Sequence, residues 1–386
     1  MSGEHRIGLT WLLSSLMGWG IYGVNLTLQL ARRPGFAPVL LGPLDRRNLY
    51  VDPLRSHLLD PVYQRSRDLR ADWPADGAAS LDMPVLVGLS GRLGRDFPHR
   101  GRREFAVAFF EATERPPAAD QVADWAEMVI AGSGWNARVL ADWGLTRVAT
   151  VLQGIDDSLF HPAPRQQLFP GRFVIFSGGK LEYRKGQDMV LAAFRAFHAR
   201  HPEALLVVSW GNMWPGTMAG LDQSGLVTGL PEPAPGGRYQ PGWFIANGVP
   251  PGALLDLGFL PNHMMPPVLR ECDLAVFPNR CEGGTNLVAM EAMACGVPVV
   301  LSANTGHLDL IEDGNCYVLT RQTAVASQPS GTDGWGESSV EELIERLEEA
   351  WRDRDEAARR GLRGAATMRR HTWSRQVDAL LEVVKP

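Results

Sequence analysis

Lysine is almost missing from this chain. Of thirty-eight lysines and arginines in 386 residues, only Lys180, Lys185 and Lys385 are lysines. Cysteine is scarce as well. Cys272, Cys281, Cys295 and Cys316 form no C-x-x-C pair and have no histidine at metal spacing. That pattern disfavours a disulfide framework and predicts reduced, buried thiols in a cytoplasmic protein. Positive charge is not in excess: the net charge is -5 and the pI is near 6.0, which argues against nucleic acid held on a broad basic face. Long apolar runs are lacking too. The best stretch, residues 7–30, is broken by Gly18, Gly20, Gly23, Asn25 and Gln29. It reads as a first strand, a glycine loop and a helix, in preference to a signal peptide or a membrane span. No internal repeat of fixed period is visible.

What is present is alternation. Short apolar runs at Ile7–Leu13, Pro38–Leu41, Pro84–Leu89, Phe105–Phe110, Glu127–Ala131, Thr150–Leu152, Phe173–Ser177, Ala204–Ser209, Leu274–Phe277 and Val297–Leu301 predict strands. Helical patterns fall at 21–33, 120–126, 133–143, 187–200, 285–295 and 338–360. This is the signature of an α/β protein with parallel sheets. The length suggests two domains. The proline-rich stretch 157–171 marks the boundary, giving domains of 1–165 and 166–366. An amphipathic last helix, 373–384 within a tail of 367–386, is expected to pack back on the first domain. Residues 211–257 form a Gly/Pro-rich interruption, expected to be functional or mobile.

Two of the three lysines lie in one loop, F-V-I-F-S-G-G-K-L-E-Y-R-K-G-Q-D, where a strand ends and Gly178 and Gly179 turn the chain. Lys180, Arg184 and Lys185 follow. Lysine is a compact point charge suited to phosphate oxygens, so lysines kept here in an arginine-rich chain point to phosphate binding. The loop is not a P-loop, because G-x-x-x-x-G-K-[ST] is absent.

A second constellation is N-R-C-E-G-G-T-N-L-V-A-M-E-A-M-A-C-G-V-P, residues 279–298. Gly283 and Gly284 allow close approach of a ligand to the backbone. Thr285 or Asn286 can cap the following helix, whose N-terminus favours an anion. Glu282 and Glu291 would repel a phosphate but suit hydroxyls, since a carboxylate accepts two hydrogen bonds from a vicinal diol. Glu291 is placed to reach a ribose and Glu282 a second sugar.

Together these segments resemble the retaining glycosyltransferases of family 4. Further matches are G-W-G-I-Y-G-V-N, A-G-S-G-W-N-A-R-V-L, V-L-Q-G-I-D-D-S-L-F-H-P, D-L-G-F-L-P-N and L-R-E-C-D-L-A-V-F-P. The resemblance runs over most of the chain and is strongest in the C-terminal half. It implies the GT-B architecture, two facing Rossmann-like domains with parallel sheets and a cleft between them. Lys180 and Lys185 would bind the donor diphosphate, assisted by Gly179 and Arg184. Glu291 would hold the ribose and Glu282 the donor sugar. The backbone of Gly283, Gly284, Thr285, Asn286 and Leu287 would face sugar and phosphate, and Gly258, Phe259 and Leu260 would border the base. Gly18 and Gly20 belong to the N-terminal glycine loop of the donor-binding set.

The chain departs from that pattern twice. Eight residues separate Glu282 from Glu291 where the family has seven, so Gly283 holds the place of the first glutamate. The histidine that the family often carries after an N-terminal-domain strand is absent, and Glu111 stands near that place. The candidate catalytic residues are therefore Glu111, Lys185 and Glu282, with same-face attack favoured over a covalent intermediate.

The implied activity is hexosyl transfer from a UDP- or GDP-linked sugar to a hydroxyl acceptor, a sugar or lipid-linked sugar, for a glycan, glycolipid or natural-product glycoside. No metal or other cofactor is expected, because fixed cations and helix N-termini can neutralise the leaving diphosphate. The D-R-D string at 353–355 reads as solvated helix surface. Residues 91–103 are locally basic, which leaves open a peripheral contact at the inner face of a membrane, although a solvated loop is the simpler reading. Trp210, Trp214 and Trp243 flank the interruption and are candidates for covering a sugar ring. The alternatives are a non-catalytic nucleotide-sugar-binding homologue and a sugar-nucleotide epimerase of the same shape. A pyridoxal-type phosphorylase is disfavoured by the dearth of lysines.

Overall fold

A computed structural model describes residues 4–73, 78–325 and 331–385. The chain divides into two compact units: Met1–Asp156 with Pro261–His263 and His371–Pro386, and Asp157–Leu260 with Met264–Arg370. The division falls before the proline-rich stretch, at Asp156, instead of inside it at 165.

Unit 1 runs β1 (His5–Leu9), α1 (Gly18–Ala31), β2 (Phe36–Leu40), α2 (Pro53–Ala71), β3 (Ser80–Gly88), β4 (Arg100–Ala108), α3 (Ala118–Trp125), β5 (Met128–Ala131), α4 (Gly134–Asp142) and β6 (Val148–Thr150). All six strands pair in parallel, in the order β2-β1-β3-β4-β5-β6. Residues 7–30 fold as strand, loop and helix. Helix α2 has no counterpart among the sequence-derived helices. It is rich in charge and carries Pro61, which masks its period. Asp52 starts it by accepting hydrogen bonds from Leu54 N and Arg55 N, and Leu59, Val62 and Tyr63 turn inward.

Unit 2 continues with β7 (Phe173–Gly178), α5 (Gln187–His198), β8 (Ala204–Ser209), β9 (Pro233–Ala234), β10 (Arg238–Tyr239), α6 (Pro241–Ala246), β11 (Leu254–Asp256), α7 (Met265–Arg270), β12 (Leu274–Phe277), α8 (Leu287–Ala294), β13 (Val299–Ser302), β14 (Tyr317–Leu319), β15 (Gln322–Ala324), β16 (Gly336–Ser338), α9 (Val340–Arg352) and α10 (Arg354–Met368). Its main sheet is again parallel, ordered β11-β8-β7-β12-β13-β14. Counting only the strands of this sheet, that order is 3-2-1-4-5-6, the doubly wound arrangement of dinucleotide-binding folds. Both sheets are covered by helices, so β7, β12 and β13 are buried on both faces and read as unbroken apolar runs. The last helix, α11 (Trp373–Val384), returns to unit 1, where Arg33, two residues past α1, holds Asp378 at 2.6 Å.

The expected single helix over 338–360 is two. Asp353 ends α9 and caps α10, accepting from Glu356 N at 2.8 Å. The D-R-D string is thus helix-capping chemistry. Nor is 211–257 a structureless interruption. It folds into 3₁₀ turns, the β9–β10 hairpin, α6 and β11, and it contributes Met218, Leu221, Val227, Tyr239, Trp243 and Phe244 to the core of unit 2.

Helix α10 packs against the α8 end at Gly361, where an added Cβ would overlap the carbonyl oxygen of Gly296. That oxygen is backbone and cannot swing aside. The Gly361→Ala variant is expected to lose about 1–3 kcal/mol of stability, checked by thermal denaturation; an unchanged Tm would refute this packing.

Candidate functional site

Ligands of open parallel sheets bind beyond the carboxyl ends of the strands where strand order reverses. In unit 2 the chain builds β7, β8 and β11 to one side, then returns to lay down β12, β13 and β14 on the other. The reversal therefore lies between β7 and β12. The loops that leave those two strands are the lysine loop, 179–186, and the loop 278–286.

The first loop turns at Gly179 (φ +102°), passes through a 3₁₀ turn at Tyr183–Lys185, and enters α5 at Gly186 (φ +70°). Both values favour glycine. A Cβ on Gly186 would also strike the carbonyl oxygen of Pro278 in the second loop. Buried Gln187 holds the turn together, donating to the carbonyl oxygens of Lys180 (2.9 Å) and Gly179 (3.3 Å).

The second loop is anchored by Arg280, whose side chain has no exposure to water. It pairs bidentately with buried Asp188 of α5 at 2.7 and 2.9 Å and reaches Glu337 at 2.9 Å. It also donates to the carbonyl oxygen of Tyr183 at 2.8 Å. Burial would lower its pKa, but Asp188 and Glu337 raise it, so the guanidinium stays charged.

The two loops meet at Glu282, which is only 4% exposed. Its carboxylate accepts from Lys185 Nζ, from Arg184 at 3.2 Å and from Asn279 Nδ2. Burial alone would push its pKa up, but the Lys185 and Arg184 charges outweigh burial and hold it at about 2. Burial also pulls Lys185 down, against the opposing charge of Glu282. Glu282 thus faces cations, and the sequence expectation of a carboxylate free to meet sugar hydroxyls is not how it stands here. Lys180 lies farther out, 3.2 Å from Glu182, with its ammonium 5.5 Å from the centre of the exposed Trp214 ring.

Helix α8 starts from Asn286, which adopts φ +63° and accepts from Ala289 N through its side chain. Asn286, not Thr285, is the cap; Thr285 turns inward and its hydroxyl meets Met290 Sδ at 3.0 Å. Glu291 is buried one turn into α8, and Leu287 opens the helix. Gly283 and Gly284 are buried in the turn before it. A third loop, after β13, fixes that turn. Thr305 Oγ1 accepts from Glu282 N at 2.8 Å, and Gly306 N donates to Glu282 O at 3.0 Å. A Cβ on Gly306 would overlap the carbonyl oxygen of Gly284. His307, wholly buried, hydrogen-bonds the Asn286 side chain at 3.0 Å. Asn279, Asn304, Thr305, Gly306 and His307 were not singled out from sequence. For the last four the available signal is the polar N-T-G-H run one residue after buried β13, and for Asn279 its place at the head of the glutamate–glycine loop.

Gly258 (φ +64°), Phe259 and Leu260 follow β11, and the insertion closes over them. Phe259 N donates to Gly236 O at 2.8 Å, and the ring lies so close to Gly211 and Gly237 that a Cβ on either would overlap it. Of the three tryptophans, Trp210 and Trp243 are core: their indoles donate to Ser177 Oγ (3.1 Å) and Gly229 O (2.9 Å). Only Trp214 is exposed.

Gly18, Gly20 and Glu111 belong to unit 1. Gly18 opens α1 with free space around it, whereas Gly20 accommodates the backbone of Ser14. Glu111 sits three residues past β4, and Arg115 of the same loop binds Asp120 at 2.5 Å. The basic stretch 91–103 is neutralised by Arg92–Glu114, Arg95–Glu104, Arg100–Glu104, Arg102–Asp82 and Arg103–Glu127 pairs. Its side chains are engaged within the protein, which supports the solvated-loop reading. All four cysteines are free and buried.

Burial holds the His307 pKa at about 4, below its ordinary 6.5. Below about pH 6.5 the unfolded chain binds a proton that the native state refuses. Stability is therefore expected to be flat above that pH and to fall by about 3 kcal/mol as pH drops toward 4. Denaturant unfolding across this window checks it, and His307→Gln should remove most of the slope.

Residues 263–380 match the family described as "Family 4 Glycosyltransferase in conflict systems". The chain is 30% identical over 293 residues to a D-inositol 3-phosphate glycosyltransferase 2 of Catenulispora acidiphila, covering 70% of this chain and 61% of that one. It is 28% identical over 199 residues to a mannosylfructose-phosphate synthase of Agrobacterium fabrum, covering 49% and 40%. It thus spans less than two thirds of these relatives. Among solved structures, sucrose-phosphate synthase from Thermosynechococcus elongatus superposes with a TM-score of 0.66 at 16% identity, covering 99% and 98% of the two chains. Anabaena HepE in complex with UDP-glucose gives 0.63 at 15%, covering 98% and 99%. Two parallel doubly wound sheets and these superpositions give the chain the GT-B fold, and in its paired-glutamate loop and C-terminal half it is similar to the family 4 glycosyltransferases.

Proposed function

We propose that the protein is a retaining glycosyltransferase that moves a sugar from a nucleoside diphosphate sugar to an acceptor hydroxyl. One observation carries this reading: Lys185, Arg184, the E-G-G-T-N turn and the α8 N-terminus converge at the strand-order reversal of a dinucleotide-type sheet.

In transfer, the bond between the sugar anomeric carbon and the phosphate oxygen breaks, and its electron pair stays on the diphosphate. The acceptor oxygen bonds that carbon on the same face, and its proton passes to the departing diphosphate oxygen. The protein's largest contribution is fixed positive charge where the leaving group becomes more anionic. Lys185 and Arg184 are rigid and largely desolvated, so their charge is undiluted by water. Glu282 keeps them ionised and in place until the diphosphate arrives, acting as a positioning residue. Charge neutralisation by these side chains and by the backbone N–H groups of the glycine turn is the reading we adopt for a reaction without a metal. Glu291 is the candidate for the ribose hydroxyls, and Glu111 for the acceptor. No helix among the described residues is long and apolar enough to cross a membrane. A cytoplasmic reaction is the proposal, which the four reduced, buried thiols support.

Two variants test the site. Lys185→Ala is expected to lower turnover about 10²–10³-fold with the fold retained by circular dichroism, and near-normal turnover would refute the leaving-group role. Glu291→Ala is expected to weaken nucleotide binding by about ten- to a hundredfold in calorimetric titrations of UDP and GDP. Hydrolysis or transfer of a nucleotide sugar by the unaltered protein separates an enzyme from a non-catalytic homologue.

A further inference from the structure

Unit 1 has its own reversal of strand order. The chain goes from β1 to β2 on one side and from β3 through β6 on the other, so the crevice lies beyond the carboxyl ends of β1 and β3. The residues gathered there are aromatic. Trp11 follows β1, Trp19 and Tyr22 occupy the first turns of α1, and Phe109 follows β4. Trp19 meets Trp11 at 5.4 Å and Phe109 edge-on at 5.0 Å, while Tyr22 stacks on Trp11 at 5.6 Å.

Glycines leave room for these rings. A Cβ on Gly88, the last residue of β3, would stand 3.0 Å from the Trp11 ring and 3.4 Å from that of Trp19; one on Gly132, after β5, would overlap Phe109. Trp11 and Tyr22 are buried, but Trp19 and Phe109 keep exposed surface. An apolar platform therefore stands at the ligand-binding edge of the sheet.

These loops have little charge to spare. The β1–α1 loop contains no cation. The loops after the other five strands carry Arg46, Arg47, Arg92, Arg95 and Arg115, which hold Asp60, Asp45, Glu114, Glu104 and Asp120 at 2.8, 2.6, 3.5, 2.7 and 2.5 Å. His99 Nδ1 already accepts from Ala79 N at 2.9 Å. A phosphate here would have to displace a carboxylate, whereas a flat apolar face meets the rings without competition. The contrast with the cation cluster of unit 2 is complete.

We infer that unit 1 takes an uncharged glycoside as its ligand, its apolar face resting in the angle between the perpendicular Trp19 and Phe109 rings, in preference to a phosphorylated sugar. Calling that ligand the acceptor rests on the transferase reading above; its chemistry rests on the rings and the engaged arginines. Glu111, two residues past Phe109, is the polar group on the same loop for its hydroxyls.

Calorimetric titration of the full chain with phenyl glucoside and with glucose 6-phosphate tests the inference. Phenyl glucoside is expected to bind roughly tenfold more tightly. Trp19→Ala should weaken it about tenfold, and Trp19→Phe, which keeps a ring, should retain most of the affinity. If Trp19→Ala is unfolded by circular dichroism, Phe109→Leu replaces it with the same expectation. Tighter binding of glucose 6-phosphate, no detectable binding of phenyl glucoside, or unchanged affinity in the folded variant would overturn the inference. Binding and hydrolysis of UDP-glucose, measured separately, decide the transferase reading independently of this outcome.

Discussion

The candidate site of unit 2 hangs on one buried guanidinium. Arg280 has no exposure to water, and its side chain ties together three elements: Asp188 at the start of α5, the Tyr183 carbonyl oxygen in the lysine loop, and Glu337 in β16. Removing one partner of such a buried pair typically costs about 3–5 kcal/mol, because the other charge is left desolvated and alone. The consequence is geometric. Arg280 N and Cys281 N both donate to the Arg184 carbonyl oxygen, at 2.8 and 3.2 Å, so the loops from β7 and β12 are tied at backbone and side chain together. Glu282 comes next in the chain, and it is held against Lys185 and Arg184 as a result.

That arrangement carries positive charge in excess. Glu282 and Glu182 face three cations, Lys180, Arg184 and Lys185, and the charges of Lys185 and Arg184 hold the Glu282 pKa at about 2 against the effect of burial. A cluster with positive charge in excess is stable without a ligand yet retains net attraction for an anion. The loop after β13 adds rigidity without charge, since His307 is kept neutral by burial. Unit 1 answers with the opposite chemistry at the equivalent sheet edge, where rings stand and the arginines are engaged. Two similar sheets thus present two unlike surfaces, and the difference is written in the loops and first helical turns that follow the strands.

Much of the fold was legible in the amino-acid order, for a definite reason. Strands buried on both faces, such as Phe173–Gly178 and Leu274–Phe277, are unbroken apolar runs bounded by glycine or proline, and these need no tertiary information to be seen. Helix α2 was missed because an internal proline and dense charge hide its inward stripe of Leu59, Val62 and Tyr63. Strands β11 and β14 are three residues each, too short to carry a period. The 211–257 stretch looked structureless because glycine and proline are read locally as interruptions, whereas its own Tyr239 and Phe244 are buried in one cluster with Phe173, Phe194 and Leu206 from other parts of the chain.

The sequence by itself determined which residues would carry charge to the donor edge. Lysines in a glycine-bounded loop, and glutamates around a helix start, are local chemical facts that survive any packing. Only the tertiary structure decided what those charges face. Glu282 is turned toward Lys185 and Arg184 by a guanidinium bound to Asp188, 92 positions away in the chain. Local order sets the kind of group at a position; the partner that satisfies a buried charge comes from distant chain, and desolvation makes that partner obligatory.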